Sequence, residues 1–108
     1  MNMVNILLVD DESYVTESLA LTIPWGELRI QEVHCADSVD HALALLEQHE
    51  IEIVVTDIRM PDRDGLELLG ELAQRWPNIR SFVLTGHSDF EYAQKAIRLN
   101  ANDYILKP

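Results

Sequence analysis

Residues 51–65, Ile51-Glu52-Ile53-Val54-Val55-Thr56-Asp57-Ile58-Arg59-Met60-Pro61-Asp62-Arg63-Asp64-Gly65, run from an apolar segment directly into an acidic loop. The part from Ile51 to Thr56 is β-branched and nearly all apolar, the composition of a strand covered on both faces in a parallel sheet. Sheets of that kind carry ligands just beyond the carboxyl ends of their strands. Asp57 therefore falls where a charged side chain meets solvent with low-dielectric protein behind it. An aspartate after a strand can also be a turn or cap residue, so the flanking sequence has to decide.

On the N-terminal side, Val4 to Val9 is an apolar run that ends in Asp10-Asp11-Glu12. Adjacent like charges are costly unless a cation or hydrogen-bond donors offset them. From Ser13 the pattern is helical, with Val15, Leu19 and Thr22-Ile23 on one side, and Pro24-Trp25-Gly26 stops it. Arg29 to Ala36 reads as a shorter, half-exposed strand. Asp37-Ser38 offers an N-cap for a helix whose apolar face is Val39, Ala42, Leu43 and Leu46.

On the C-terminal side, Pro61 ends regular pairing and Asp64, with Glu67 three residues on, opens a helix with Leu68, Leu69, Leu72 and Trp76 inward. Pro77-Asn78 closes that helix. Ile79 to Leu84 forms a fourth strand leading to Thr85-Gly86-His87. Ser88-Asp89-Phe90-Glu91 has the form of a capping box for a helix with Phe90, Ala93 and Ile97 inward. Asn100-Ala101-Asn102 supplies the exit, and Asp103 to Leu106 is a fifth short strand before Lys107-Pro108. The alternation of strand and helix predicts an α/β fold, a parallel sheet with helices on both faces and right-handed crossovers. A helix after the fifth strand is expected to be missing, which would leave apolar surface exposed.

Composition narrows the function classes. The chain has 108 residues, enough for one domain spanning 1–108, with 47% apolar and 25% charged residues, which argues against disorder. A net charge of −11 would repel a phosphate backbone, so direct nucleic-acid contact by this segment is not expected. No apolar run approaches a membrane span, no signal peptide opens the chain, and a cytoplasmic location is the default. Cys35, the single cysteine, excludes an internal disulfide and reads as a small buried side chain. His34, His41, His49 and His87 show no ligand spacing in sequence and read as surface or packing residues, with His87 nearest the strand ends.

In a parallel sheet, the carboxyl ends of strands one, three, four and five deliver Asp10 and Asp11, Asp57, Thr85 and Lys107 to one edge. Hard oxygen ligands of this kind suit Mg²⁺. With a cation and a lysine screening the charge, a carboxylate can act as nucleophile toward a phosphoryl group. The bland alternatives are Asp10-Asp11 facing a helix N-terminus, Thr85 as a cap, Lys107 as a solvated charge and Tyr104 as a core aromatic.

Leu8-Val9-Asp10-Asp11-Glu12, Val55-Thr56-Asp57-Ile58-Arg59-Met60-Pro61 with Asp64-Gly65, Leu84-Thr85-Gly86 and Asp103-Tyr104-Ile105-Leu106-Lys107-Pro108, in that order, resemble the receiver domain of two-component response regulators. The resemblance implies a flavodoxin-like, doubly wound five-stranded sheet of order 2-1-3-4-5. It implies Asp57 as phosphoacceptor for a sensor histidine kinase. Asp11, Asp57 and the backbone carbonyl of Arg59 would hold Mg²⁺, with Asp10 acting mainly through metal-bound water. Thr85 and Lys107 would contact the phosphoryl group, Tyr104 would follow Thr85 as an aromatic switch, and Lys107-Pro108 is a cis peptide in many relatives. The Arg59 side chain is expected over the pocket.

Such a chain would be a signalling switch that catalyses only its own phosphorylation and dephosphorylation. It would relay the signal to an output domain in the same longer chain, with a homodimer possible on phosphorylation. Asp89-Phe90-Glu91-Tyr92-Ala93 and Pro24-Trp25 resemble receivers fused to AraC-type DNA-binding domains, which points to transcriptional regulation. Three other readings are weaker. A haloacid-dehalogenase-like phosphatase or phosphotransferase wants an Asp at position 59, where Arg59 stands. A flavin module wants a neutral phosphate loop where Asp10-Asp11-Glu12 stands. An inert docking pseudo-receiver would not need the full set of acids, hydroxyl and lysine.

Overall fold

In a computed structural model, the described residues are 3–86, 90–98 and 101–106. The element order is β1 (Val4–Val9), α1 (Ser13–Thr22), β2 (Ile30–Ala36), α2 (Val39–Gln48), β3 (Ile53–Asp57), α3 (Gly65–Arg75), β4 (Arg80–Thr85), α4 (Phe90–Arg98) and β5 (Asp103–Leu106). All pairings are parallel, as the alternation of strand and helix predicts, and the strand order is β2-β1-β3-β4-β5, as the receiver-domain resemblance implies.

The order explains the layering. The chain moves one way across the sheet from β1 to β2, then the other way from β2 through β5, and right-handed crossovers put the two directions on opposite faces. One core accordingly joins α2 (Val39, Ala42, Leu46) and α3 (Leu68, Leu69, Leu72) to Leu7, Val9, Val54 and Val83. The other joins Leu19 of α1 and Trp25 to Ile6, Leu8, Ile30, Val55 and Leu84. Leu7, Val54 and Leu68 are fully buried, each side chain worth about 1.5–3 kcal/mol of burial. On the α1 face, Ile105 is 46% exposed and is the register partner of Leu84, and no described helix covers that end of the sheet.

Local chemistry sets most boundaries where the sequence placed them. Ser38 caps α2 by accepting from the His41 N–H (3.1 Å), and Asp64 caps α3 by accepting from the Glu67 N–H (3.0 Å). Asn102 locks β4 to the approach of β5: its Oδ1 accepts from the Ser81 N–H and its own N–H donates to the Ser81 carbonyl, at 2.9 and 2.7 Å.

Several details differ from expectation. In α1 the buried residue is Thr16 and not Thr22, which is exposed; the Thr16 hydroxyl can enter the core because it donates to the Ser13 carbonyl (3.0 Å). Arg29 adopts a left-handed φ of 63° in the turn before β2, which keeps it out of the strand. Ile97 is 40% exposed and not inward; α4 lies against β4 and β5, and the side chains of Phe90 and Ala93, also expected inward, lie outside what is described. The expected capping box at Ser88 lies outside the described residues.

Cys35 is half-buried against the α1 core, and burial pushes its thiol pKa up, with the nearby Glu17 charge acting in the same direction and a contact with Thr16 partly opposing both. A raised pKa leaves less thiolate at a given pH. Alkylation of the folded protein at about pH 8 is therefore expected to be slower than that of the urea-unfolded chain. Intact-mass time courses check this, and equal rates would contradict it.

Candidate functional site

The reversal in strand order between β1 and β3 makes a crevice at their carboxyl ends, the place where open α/β sheets take ligands. Val9 of β1 is in register with Thr56 of β3, so the next residues along, Asp10 and Asp57, emerge side by side. Asp10 is fully buried, Asp57 is 6% exposed, and Asp11 lies exposed at the rim. One carboxylate oxygen from each lies within 4.8 Å of the other two.

The backbone holds these groups in place. Asp57 Oδ1 accepts from the Ile58 N–H (2.9 Å), and Asp10 Oδ1 accepts from the Glu12 N–H (3.0 Å), which also starts the turn into α1. Such bonds favour ionised carboxylates but do not remove the repulsion among three of them. The donor set is all hard oxygen, with an open side toward water at Asp11. It fits a small divalent cation such as Mg²⁺.

Gly65 governs how the loop after Asp57 returns to the protein. Its N–H donates to the Ile58 carbonyl at 2.7 Å, and a Cβ at this position would lie 2.2 Å from the Asp57 carbonyl oxygen and 3.0 Å from the Ile58 Cα. Only a residue without a side chain lets α3 begin against the strand end that carries Asp57. Within the loop, Asp62 takes a left-handed φ of 66°, which Asp tolerates better than most residues.

Arg63 braces the same loop from outside. It is hydrogen-bonded to Asp40 of α2 and Glu67 of α3, each at 3.0 Å, and it is 3.6 Å from Glu71. The hydrogen bond to Glu67, followed by that to Asp40, raises its pKa above the ordinary arginine value. Arg75 pairs in turn with Glu47 and Glu71 and stacks over Trp76. Arg59 is exposed on this loop.

Of the other expected site residues, Thr85 ends β4 fully buried, one position beyond Leu84, the register partner of Asp57; its hydroxyl donates to the Gly86 carbonyl (3.1 Å). Tyr104 is half-buried against the α2–α3 core, in register with Val83. Thr85 is in register with Leu106. Lys107, the Lys107-Pro108 peptide and His87 lie outside the described residues. Sequence reading missed one grouping: Glu32, His34 and His49 come together on the edge strand, with ligand atoms within 4.8 Å of one another. The i, i+2 spacing of Glu32 and His34 on a strand was the available signal, but nothing in sequence brings His49 to them.

The family model for the response regulator receiver domain matches residues 6–108. The transcriptional regulatory protein HptR of Staphylococcus aureus is 38% identical over 106 residues, covering 98% of this chain and 41% of HptR. The chain thus spans about two fifths of the length of the curated relatives it matches. The REC domain of AraT, a response regulator from Geobacillus stearothermophilus, superimposes with a TM-score of 0.90 at 37% identity, covering 98% of this chain and 82% of that one. A two component transcriptional regulator AraC from Clostridium phytofermentans gives 0.89 at 33%, covering 97% and 81%. No described helix is long and apolar enough to cross a membrane.

The close approach at Gly65 makes a paired prediction. Gly65→Ala should cost about 1–3 kcal/mol through overpacking. Gly70→Ala, where a Cβ meets nothing within 4 Å, should instead stabilise α3 by up to about 1 kcal/mol. Urea unfolding of both variants checks the contrast, and equal effects would contradict the geometry.

Proposed function

The chain belongs to the response regulator receiver domain family, and from that membership we propose that it is a phosphoacceptor switch in which Asp57 takes a phosphoryl group from the phosphohistidine of a sensor kinase. The observation that carries this reading is the pair of buried carboxylates on adjacent strands, Asp10 and Asp57, with Asp11 at the rim. Residues 1–108 act as one receiver module, without turnover of a separate substrate.

An oxygen of Asp57 attacks phosphorus, the P–N bond to the kinase histidine breaks, and an acyl phosphate forms. The Ile58 N–H bonded to Oδ1 helps to fix the orientation of the carboxylate. Asp11, Asp57 and the Arg59 carbonyl would hold Mg²⁺, with Asp10 acting mainly through metal-bound water, and the ion would supply positive charge against the phosphoryl oxygens. Thr85 exchanges its bond to the Gly86 carbonyl for one to the phosphoryl group, and Lys107 pairs with the same oxygens. Tyr104 follows Thr85, and the two residues bias the α4–β5 surface that a partner reads. Water attack on the acyl phosphate resets the switch.

The partners are a sensor histidine kinase and an output domain in the same longer chain. Transcriptional output through DNA binding is supported by the names of HptR and the AraC-type neighbour and by the share of HptR that lies beyond the match. The charge of −11 assigns DNA contact to another segment. Phosphorylation-dependent homodimerisation and a cytoplasmic location complete the reading.

Incubation with acetyl phosphate and Mg²⁺ should add one phosphoryl group by intact mass, labile to hydroxylamine, and absent from Asp57→Asn. Label on a Ser, Thr or His would overturn the assignment. Thr85→Ala should still be labelled at Asp57 while losing most of the phosphorylation-dependent change in amide exchange across α4 and β5. An unaltered exchange response in that variant would remove Thr85 from the switch.

A further inference from the structure

A second group of metal-ligating side chains lies on the edge strand, away from the acidic crevice. Glu32 and His34 are two residues apart in β2, so they project from the same face of the sheet. The next residue in that series, Ala36, is buried in the α2–α3 core, whereas Val33 and Cys35 pack in the α1 core. His49, the C-cap of α2, reaches the same face, and its ring lies against that of His34 with centroids 4.3 Å apart. His34 Nε2 is 2.9 Å from Glu32 Oε1, and one ligand atom from each of the three residues lies within 4.8 Å of the others.

The backbone under the cluster is fixed on both sides. Leu7 and Asn5 of β1 are the register partners of His34 and Glu32. Asn5 also donates from Nδ2 to the Glu50 carbonyl (2.8 Å), and its carbonyl accepts from the Glu52 N–H (3.0 Å). The His49 N–H is bonded to the Leu45 carbonyl (2.9 Å). The residues flanking His49 are thus tied to the same strand that carries the partners of His34 and Glu32. The His34 side chain is mostly covered, while Glu32 is about half exposed, which leaves water an approach.

Two imidazoles and one carboxylate form the donor set that Zn²⁺ and its first-row neighbours prefer, and one that Mg²⁺ does not. Bonds of about 2.0–2.2 Å require ligand atoms roughly 3–3.5 Å apart, a closure for which the exposed side chains of Glu32 and His49 must reorient, the His49 ring turning out of its stack on His34. We propose that Glu32, His34 and His49 bind a divalent transition-metal ion of the Zn²⁺ class, with water completing the shell, and that the ion clamps the C-terminal end of α2 to β2. The site shares no ligand with the Asp10–Asp11–Asp57 group. Asp10 lies three residues beyond Leu7, the partner of His34, about 10 Å along the strand. It therefore stands whether or not Asp57 is phosphorylated.

The test is calorimetric titration of tag-free protein with Zn²⁺ in saturating Mg²⁺, paired with the absorption spectrum of added Co²⁺. One equivalent should bind, raise the thermal midpoint, and give ligand-field bands in the Co²⁺ form. His49→Ala and Glu32→Gln, both at exposed positions, should each weaken binding at least about tenfold, while Asp11→Asn leaves it unchanged. Binding equal to the parent in His49→Ala and Glu32→Gln would overturn the proposal. So would loss of binding in Asp11→Asn, or weak multisite binding with no ligand-field bands.

Discussion

The structure is built around the removal of two like-charged carboxylates from water. Asp10 and Asp57 are buried at the ends of neighbouring strands, with Asp11 close by. Taking an ionised carboxylate out of solvent costs several kcal/mol even after relaxation. A fold keeps such a cost only where the groups are held by hydrogen-bond donors or by positive charge. The N–H groups of Ile58 and Glu12 supply part of the offset. The oxygen donor set is also one that suits a small divalent cation.

That cost explains why the surroundings are rigid. β1 and β3 are the inner strands flanking the crevice, and Leu7, Val9, Val54 and Thr56 along them are essentially buried. The loop after Asp57 is fastened at both ends of its return path, by the Gly65-to-Ile58 hydrogen bond inside and by Arg63 bridging α2 and α3 outside. Exposed ion pairs contribute little stability individually, and here their use is positional. Packing at the sheet thins toward β5, where Ile105 is exposed and Tyr104 only half-covered. Elements with fewer buried contacts open at lower free energy, so the β4–β5 edge is expected to open more readily than β1 and β3.

The two groups of metal-ligating residues differ in hardness as well as place. The crevice offers oxygen only, whereas the β2 edge offers two imidazole nitrogens and a carboxylate. Ligand type would therefore favour Mg²⁺ at the crevice and an ion of the Zn²⁺ class at the β2 edge. An ion at the β2 edge would also pin an edge strand, whose unpaired backbone is otherwise a site for unwanted association.

The sequence by itself determined the element order, the parallel sheet and the arrival of Asp10, Asp11, Asp57 and Thr85 at its carboxyl edge, because strand composition, helix period and capping residues such as Ser38 and Asp64 are local signals with fixed spacing. Asp57 was legible as a candidate site only together with Asp10-Asp11 and Thr85, since an acid after a single strand could equally be a turn or cap residue. Tertiary structure alone decided three things. It set the clearance at Gly65, because a missing Cβ acquires meaning only when the carbonyl oxygen ending β3 would lie 2.2 Å from it. It chose Thr16 over Thr22 as the buried residue of α1, since the helix is only weakly amphipathic and its rotation is fixed by the sheet it rests on. It brought His49 to Glu32 and His34, because the crossover through α2 converts a separation of many residues into ring contact, and no local pattern encodes the endpoint of a crossover.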